Sequence, residues 1–283
     1  MTELFPFYKR KVAVWLVTMQ HPQAILTRLG ISARKSLSQN FLTSDYWADK
    51  LAKVALDERP ERIIEIGPGL GALTSRWAKR CKDGVIIEYD RALASFLREE
   101  HPNVTLIESD VLRVDLRALC PPSIKTVVIS NLPYHISSPI FFSFIEAQIF
   151  PHAMILTFQK EFADRLAALP KSPDYGALSV LSQTFFDIEP IGVLPAGAFY
   201  PKPGPSSSAL LIRPRSVTVS PARLKTILRA SFAHRRKLLS SNLQSLTTPE
   251  RVTEIMNFAG VPPKARAEEL TKEQYWQMVE AMQ

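Results

Sequence analysis

Five short, mostly apolar runs, at residues 63–66, 85–87, 104–107, 127–129 and 154–158, punctuate the first half of the chain. Between them, residues 73–80, 93–100, 140–149 and 161–169 carry apolar positions at helical spacing. Strands that are apolar along their whole length offer no polar face to water and belong in a sheet covered on both sides. Their alternation with helices predicts a parallel sheet and an α/β fold. Two later runs, 188–194 and 209–212, flank the proline-rich stretch 195–205 and read as an antiparallel pair at the sheet edge. After Pro214 only helical spacing remains, at 224–232, 238–246, 252–258 and 275–282. The expected organisation is an N-terminal extension over 1–34, an α/β domain over 35–215 and a small all-α domain over 216–283.

Chemistry-bearing residues fall where these strands end. The first strand runs into Glu65-Ile66-Gly67-Pro68-Gly69-Leu70-Gly71, a turn whose glycines let the backbone approach a ligand closely. Gly67-x-Gly69-x-x-Ala72 also satisfies a loose nicotinamide pattern, so the turn alone leaves the ligand open. The second strand ends at Glu88, a carboxylate able to accept hydrogen bonds from ribose hydroxyls. The third ends at Glu108-Ser109-Asp110, where Asp110 can accept from an adenine amino group. Either carboxylate alone reads best as a solvated surface group. Both at consecutive strand tips, beside a glycine turn, read as the rim of a ligand cleft.

The fourth strand ends in Asn131-Leu132-Pro133-Tyr134, with a helix expected to begin near Pro139. These are the parts needed to hold a flat ring bearing an amine. Asn131 offers a side-chain carbonyl oxygen. Pro133 stiffens the turn, so the Leu132 carbonyl can be held pointing into a site. Tyr134 offers a face on which a base can stack, worth about 1–3 kcal/mol. In this reading Asn131 and the Leu132 carbonyl accept the two amine hydrogens, and Tyr134 and Phe199 clamp the ring. His135 reads as structural, because no partner serine, cysteine or metal ligand accompanies it.

Composition narrows the class. With 283 residues, 46% hydrophobic and 22% charged, the chain has the make-up of a globular protein, and no apolar run reaches the length of a membrane span. Cys81 and Cys120 fit no metal or disulfide spacing and read as reduced thiols of a cytoplasmic protein. The net charge of +8 is unevenly placed. Basic and acidic residues number six to one over 1–40, 19 to 20 over 41–215 and ten to six over 216–283. From Ser216 to Pro249 there is no acidic residue, whereas Arg223, Lys225, Arg229, Arg235, Arg236 and Lys237 all lie there. One-sided charge of this kind suits phosphate contacts. Residues 1–18 have too short an apolar core for a signal peptide, Met19 offers an alternative start, and the segment receives no function.

Taken in order, the motifs resemble those of the adenine dimethyltransferases of small-subunit ribosomal RNA, the KsgA (RsmA) family. The resemblance rests on Lys35-Ser36-Leu37-Ser38-Gln39-Asn40-Phe41-Leu42, the glycine turn, Ile87-Glu88-Tyr89-Asp90 and Asn131-Leu132-Pro133-Tyr134. It continues through Phe199-Tyr200-Pro201-Lys202-Pro203, Phe232-Ala233-His234-Arg235-Arg236-Lys237 and Arg266-Ala267-Glu268-Glu269-Leu270. It departs at Ser38, where the family usually has glycine, and after Pro203, where Gly204-Pro205-Ser206-Ser207-Ser208 replaces a usual Lys-Val-Asp-Ser. The resemblance implies a Rossmann-like methyltransferase domain using S-adenosylmethionine without a metal. By that analogy Asn40, Leu42, Gly67, Gly69, Glu88, Asp110 and Asn131 line the cofactor site, and Asn131, Leu132, Tyr134 and Phe199 are catalytic. Arg229, Arg235, Arg236 and Lys237 would contact RNA. The implied partner is small-subunit RNA in a pre-30S particle, met by a monomer away from membranes.

Three other readings compete. His135 is found at this position in related large-subunit RNA methylases that confer antibiotic resistance. A non-enzymatic RNA-binding assembly factor would explain the basic ends but not an intact set of Glu88, Asp110 and Asn131. A nicotinamide oxidoreductase would explain the glycine turn but not Asn131-Leu132-Pro133-Tyr134.

Overall fold

The computed structural model describes residues 21–34, 37–234 and 236–282. The chain opens with α1 (Pro22–Arg28), the two-residue strand β1 (Phe41–Leu42) and α2 (Asp45–Asp57). The first sheet strands and their helices follow: β2 (Arg62–Ile66), α3 (Thr74–Trp77), β3 (Asp83–Glu88), α4 (Arg91–Glu100), β4 (Thr105–Glu108) and α5 (Leu116–Leu119). Next come β5 (Thr126–Asn131), α6 (Tyr134–Glu146), β6 (Ala153–Gln159), α7 (Lys160–Ala167), α8 (Ala177–Phe185), β7 (Phe186–Leu194), β8 (Phe199–Tyr200) and β9 (Ser207–Pro214). The described C-terminal part holds α9 (Pro221–Ser231), α10 (Leu239–Leu243), α11 (Pro249–Phe258) and α12 (Lys272–Ala281).

Seven strands form one sheet in the order β4-β3-β2-β5-β6-β9-β7. The first five are parallel; β9 runs antiparallel to β6, and β7 antiparallel to β9. The expected pairing of the last two strands is therefore present. β7 takes the exposed edge, interrupted by a bulge between Pro190 and Gly192. From β2 the chain winds outward through β3 and β4, then returns to β5 and winds the other way. The β2–β5 junction is thus the point where strand order reverses, and a crevice opens there beyond the carboxyl ends of the strands.

Side chains alternate across the sheet and feed two cores. Ile64, Val85, Val128, Met154 and Leu156 face the cluster that includes α6, α7 and α8. Ile63, Ile86, Val127, Ile129 and Ile155 face the cluster of α2, α3 and α4. The first cluster continues without a break into Leu224, Ile227, Leu239, Val252, Tyr275 and Met278 of the C-terminal helices. Trp276 Nε1 donates to the Thr184 hydroxyl at 2.8 Å, and the Tyr175 hydroxyl to the Leu270 carbonyl at 2.8 Å. The helices after Arg215 thus share the sheet's own core.

The structure departs from the sequence expectations in four places. Within the N-terminal extension, residues 22–34 carry α1 and pack on the domain: Leu26 joins Phe41 and Leu93 in a small core, and Arg34 pairs with Asp90. Helix 73–80 shrinks to the single turn of α3. Helix α8 carries no amphipathic stripe because Leu178, Ser179, Val180, Leu181, Ser182, Thr184 and Phe185 are all buried. Its hydroxyls fold back instead, Ser182 onto the Leu178 carbonyl at 2.8 Å and Thr184 onto that of Val180 at 2.7 Å. Finally, α6 begins at Tyr134 and runs through Pro139. Its first turn closes through the Ile136 N–H to the Pro133 carbonyl (3.1 Å) and the Ser137 hydroxyl to the Tyr134 carbonyl (3.0 Å), bonds that need nothing from Pro139.

Glu65 ties β2 to α3. Its Oε2 accepts from the Thr74 hydroxyl and from Trp77 Nε1, both at 2.7 Å, with Glu65 only 1% exposed. Burial outweighs these bonds and lifts the carboxyl from an ordinary 4.5 to about 7. A raised folded-state value means the neutral acid is preferred in the fold. Stability is therefore full below pH 4.5 and declines as pH rises through 7. We expect urea unfolding between pH 5 and 8 to show about 3 kcal/mol of decline from this group. Glu65→Gln should remove that share and leave a decline from Glu88, which titrates in the same direction.

Candidate functional site

The carboxyl ends of β2, β3 and β5, with the loop after β4, surround a cavity of about 300 Å³. Residues 37–42 close one side. They are held there by the ribbon of β1 and β8, in which Phe41 lies opposite Tyr200 and Leu42 opposite Phe199. The Thr43 N–H also donates to the Ala198 carbonyl at 2.8 Å. Ser38 takes φ +48°, a left-handed conformation, which explains in steric terms why glycine suits that position. The Asn40 side chain donates to the Ser38 carbonyl at 3.0 Å and braces the turn.

The glycine turn forms the cavity floor. Gly69 has φ +59°, and a Cβ there would lie 3.0 Å from the Phe41 ring. The Gly69 N–H donates to Glu88 Oε2 at 3.2 Å, and the Asp90 N–H to Glu88 Oε1 at 2.8 Å. Glu88 is 6% exposed, lines the cavity and carries no ion pair among the described residues. Its burial lifts the carboxyl to about 7, against the two backbone N–H bonds that favour the charged form. A buried carboxylate opening onto a cavity without a cation is an acceptor awaiting neutral donors. Asp110 stands at the neighbouring tip and caps a short turn, its Oδ1 accepting from the Leu112 N–H at 3.0 Å.

On the opposite wall stand Asn131, Leu132, Pro133 and Tyr134. Asn131 Nδ2 donates to the Asn40 carbonyl at 3.0 Å, and its Oδ1 accepts from the Thr157 hydroxyl at 2.8 Å. The second lone pair of Oδ1 stays available. The Leu132 side chain is buried, whereas none of the described residues donates a hydrogen bond to its backbone carbonyl. The Tyr134 hydroxyl bonds the Ser207 hydroxyl at 2.6 Å, and burial pushes its phenol up. Tyr134 also borders a second cavity of about 260 Å³, which shares Ser38, Gln39 and Asn40 and is finished by Pro201, Lys202, Pro203 and Pro205.

The structure thus brings Asn40, Leu42, Gly67, Gly69, Glu88, Asp110, Asn131, Leu132 and Tyr134 to one cleft. It does not bring Phe199 there. Phe199 is 3% exposed and packs into the core with Leu42 and Leu194, outside the lining of either cavity that Tyr134 borders. Neighbouring strand residues face opposite ways, and it is Tyr200 that turns toward Phe41. Of the basic residues, Arg229, Arg236 and Lys237 are exposed at the end of α9 and beyond it, and Arg235 lies outside the described residues. Lys225 pairs with Glu146.

Two side chains bonded to residues of the cleft escaped the sequence reading. Thr157 is the lone polar residue within the buried run of β6 and is register partner to Asn131. A hydroxyl in an otherwise apolar strand was the available signal. Ser207 sits in the stretch that departs from the family pattern and was visible only as a departure.

A sequence model of the family described as ribosomal RNA adenine dimethylase matches residues 30–283. A ribosomal RNA small subunit methyltransferase A from Anaeromyxobacter dehalogenans (strain 2CP-C) is 38% identical over 265 residues, spanning 88% of this chain and 93% of its own. A dimethyladenosine transferase from Plasmodium falciparum shares the fold, with a TM-score of 0.75 at 20% identity over 84% of this chain and 95% of its own. The 23S rRNA methyltransferase ErmE is similar too, with a TM-score of 0.66 at 25% identity over 86% of this chain and 99% of its own. Motif order, strand-tip cleft and similarity over most of the length agree: this chain belongs to the ribosomal RNA adenine dimethylase family.

Proposed function

We propose that the protein transfers methyl groups from S-adenosylmethionine to the N6 amines of adenines in a loop of small-subunit ribosomal RNA during ribosome biogenesis. The observation that carries this reading is the strand-tip cleft, where Glu88 and Asp110 face Asn131, the Leu132 carbonyl and Tyr134 across one cavity. The residues suit the cofactor. Glu88 accepts ribose hydroxyls, Asp110 the adenine amine, and the glycine turn leaves room at the floor. When bound, S-adenosylmethionine would supply an electrophilic methyl on a sulfonium sulfur, transferable to N6 in exchange for one amine proton.

The chain's own residues handle the nucleophile. An adenine amine is poor at attack because its lone pair is delocalised into the ring. Asn131 Oδ1 and the Leu132 carbonyl accept its two N–H groups and turn that lone pair out of the ring plane. The Tyr134 face stacks on the extruded base and offsets part of the few kcal/mol that extrusion costs. Single-stranded loop RNA lowers the cost further. Segment 216–283 contributes phosphate contacts through Arg229, Arg235, Arg236 and Lys237. The protein acts in the cytoplasm as a monomer on a pre-30S particle.

A second reading, methylation of large-subunit RNA, draws on His135 in the first turn of α6 and on the likeness to ErmE. The higher identity to a protein named for the small subunit favours the first reading.

Labelled S-adenosylmethionine incubated with small subunits lacking the modification should place label in N6-methylated adenine. Label on protein-free large-subunit RNA alone would favour the second reading, and none on either would overturn both. Asn131→Ala should lower transfer by at least about 10²-fold, with cofactor binding by calorimetry kept within about tenfold. Because Glu88 must be charged to accept best and titrates near 7, cofactor affinity should tighten from pH 6 to 8. Glu88→Gln should bind more weakly and lose that pH dependence.

A further inference from the structure

We propose that Thr157 is a positioning residue for methyl transfer, its buried hydroxyl setting the orientation of the Asn131 amide and, through it, the seat of residues 37–42. This rests on the reading of Asn131 as acceptor of the adenine amine.

The hydrogen-bond network admits one solution. The Asn40 backbone carbonyl can only accept, so the amide group 3.0 Å from it is the NH₂ end of Asn131. The carbonyl end, Oδ1, therefore lies toward β6, with the Thr157 oxygen at 2.8 Å. Thr157 has one hydroxyl proton and two acceptors in reach. The Ser130 carbonyl stands at 3.4 Å, so the shorter contact to Oδ1 holds the proton.

Position and burial give the bond its leverage. Thr157 lies directly opposite Asn131 in the parallel pairing of β5 and β6, so the backbone register itself sets the separation. The side chain is 0% exposed, so no water competes for Oδ1 from that side. Met154, Ile155, Leu156 and Phe158 around it are equally buried and wholly apolar. The amide is thus tied at both ends, one to the sheet and one to the segment that closes the cleft. Flipping it would set Oδ1 against the Asn40 carbonyl and its NH₂ against the Thr157 hydroxyl. Without the hydroxyl, only the bond to Asn40 would remain to fix the amide, and its reactive lone pair would lose its aim. A misplacement near 1 Å in such a group costs about 10²-fold in rate.

The test uses the full chain with Thr157→Val, which keeps the shape and removes the hydroxyl, and Thr157→Ser, which keeps the hydroxyl. Hydrogen–deuterium exchange over residues 37–42 without cofactor should be several-fold faster in Thr157→Val and unchanged in Thr157→Ser. Single-turnover methyl transfer to unmodified small subunits should fall about tenfold to hundredfold in Thr157→Val and recover in Thr157→Ser. In an Asn131→Ala background, Thr157→Val should add nothing to either readout, because the path through Asn131 is already cut. Unchanged exchange and rate in Thr157→Val would overturn the proposal. So would effects of equal size in the Asn131→Ala background, or a Thr157→Ser as impaired as the valine variant. Should Thr157→Val fail to melt cooperatively, Asn131→Ala alone must speed exchange at 37–42, and no change there overturns the proposal. If wild-type protein methylates no adenine while the exchange pattern holds, the proposed function fails, and with it the role in methyl transfer, while the hold of the Thr157 hydroxyl on the Asn131 amide and residues 37–42 stands.

Discussion

Strands β2, β3, β5 and β6 are covered on both faces, so the centre of this sheet has no place for a polar group that water or a ligand can reach. Chemistry is confined to the strand ends. Because the strands are parallel, all their carboxyl ends lie on one side, and the reversal of order between β2 and β5 opens the crevice there. Glu88, Asp110 and Asn131 meet for this reason and no other: each is at or just past the last residue of a strand, and the pairing lines them up. The same constraint makes Thr157 informative. It stands level with Asn131 but two residues before its own strand ends, and its hydroxyl bonds the Asn131 amide.

Much of this is legible in the sequence. Apolar runs of strand length set the sheet, and the polar residue after each run marked its tip. Glu88, Asp110 and Asn131 all reach the cleft that way. What stayed hidden depended on contacts between distant segments. Phe199 reads as a clamp by its motif. Its direction is set by a two-residue strand paired with β1, too short for periodicity to reveal which face is inward. Helix α8 is buried on every side, so the polar stripe that would mark a surface helix is absent. The start of α6 was misplaced because proline signals a helix boundary. Here the first turn is closed by bonds upstream of Pro139.

The site also works against the fold that carries it. Glu65 and Glu88 are carboxyl groups buried at adjacent strands, and both are pushed up to about 7 by the loss of water. Glu65 has a structural return, since one oxygen gathers Thr74 and Trp77 and so anchors the turn that follows β2. Glu88 has less. Its two backbone bonds do not outweigh its burial, and its remaining acceptor capacity opens onto the cavity. A group that destabilises the empty fold and is relieved by donors from a ligand couples binding to stability.

The closing segment completes this logic. Residues 37–42 line the strand-tip cleft, and Ser38, Gln39 and Asn40 also line the second cavity. Three ties hold the segment and the residues just before it: the β1–β8 ribbon, the Asn40 carbonyl on Asn131, and an outer latch on Asp90. In that latch Gln39 Nε2 donates to Asp90 Oδ2 at 3.3 Å, and Arg34 pairs with the same oxygen at 3.4 Å. Asp90 in turn gives its backbone N–H to Glu88. One short stretch of chain is therefore bonded to Asp90, the backbone donor to Glu88, and to the Asn131 amide. The surroundings of Glu88 and the orientation of the Asn131 amide are then not independent, because each restrains the same few residues.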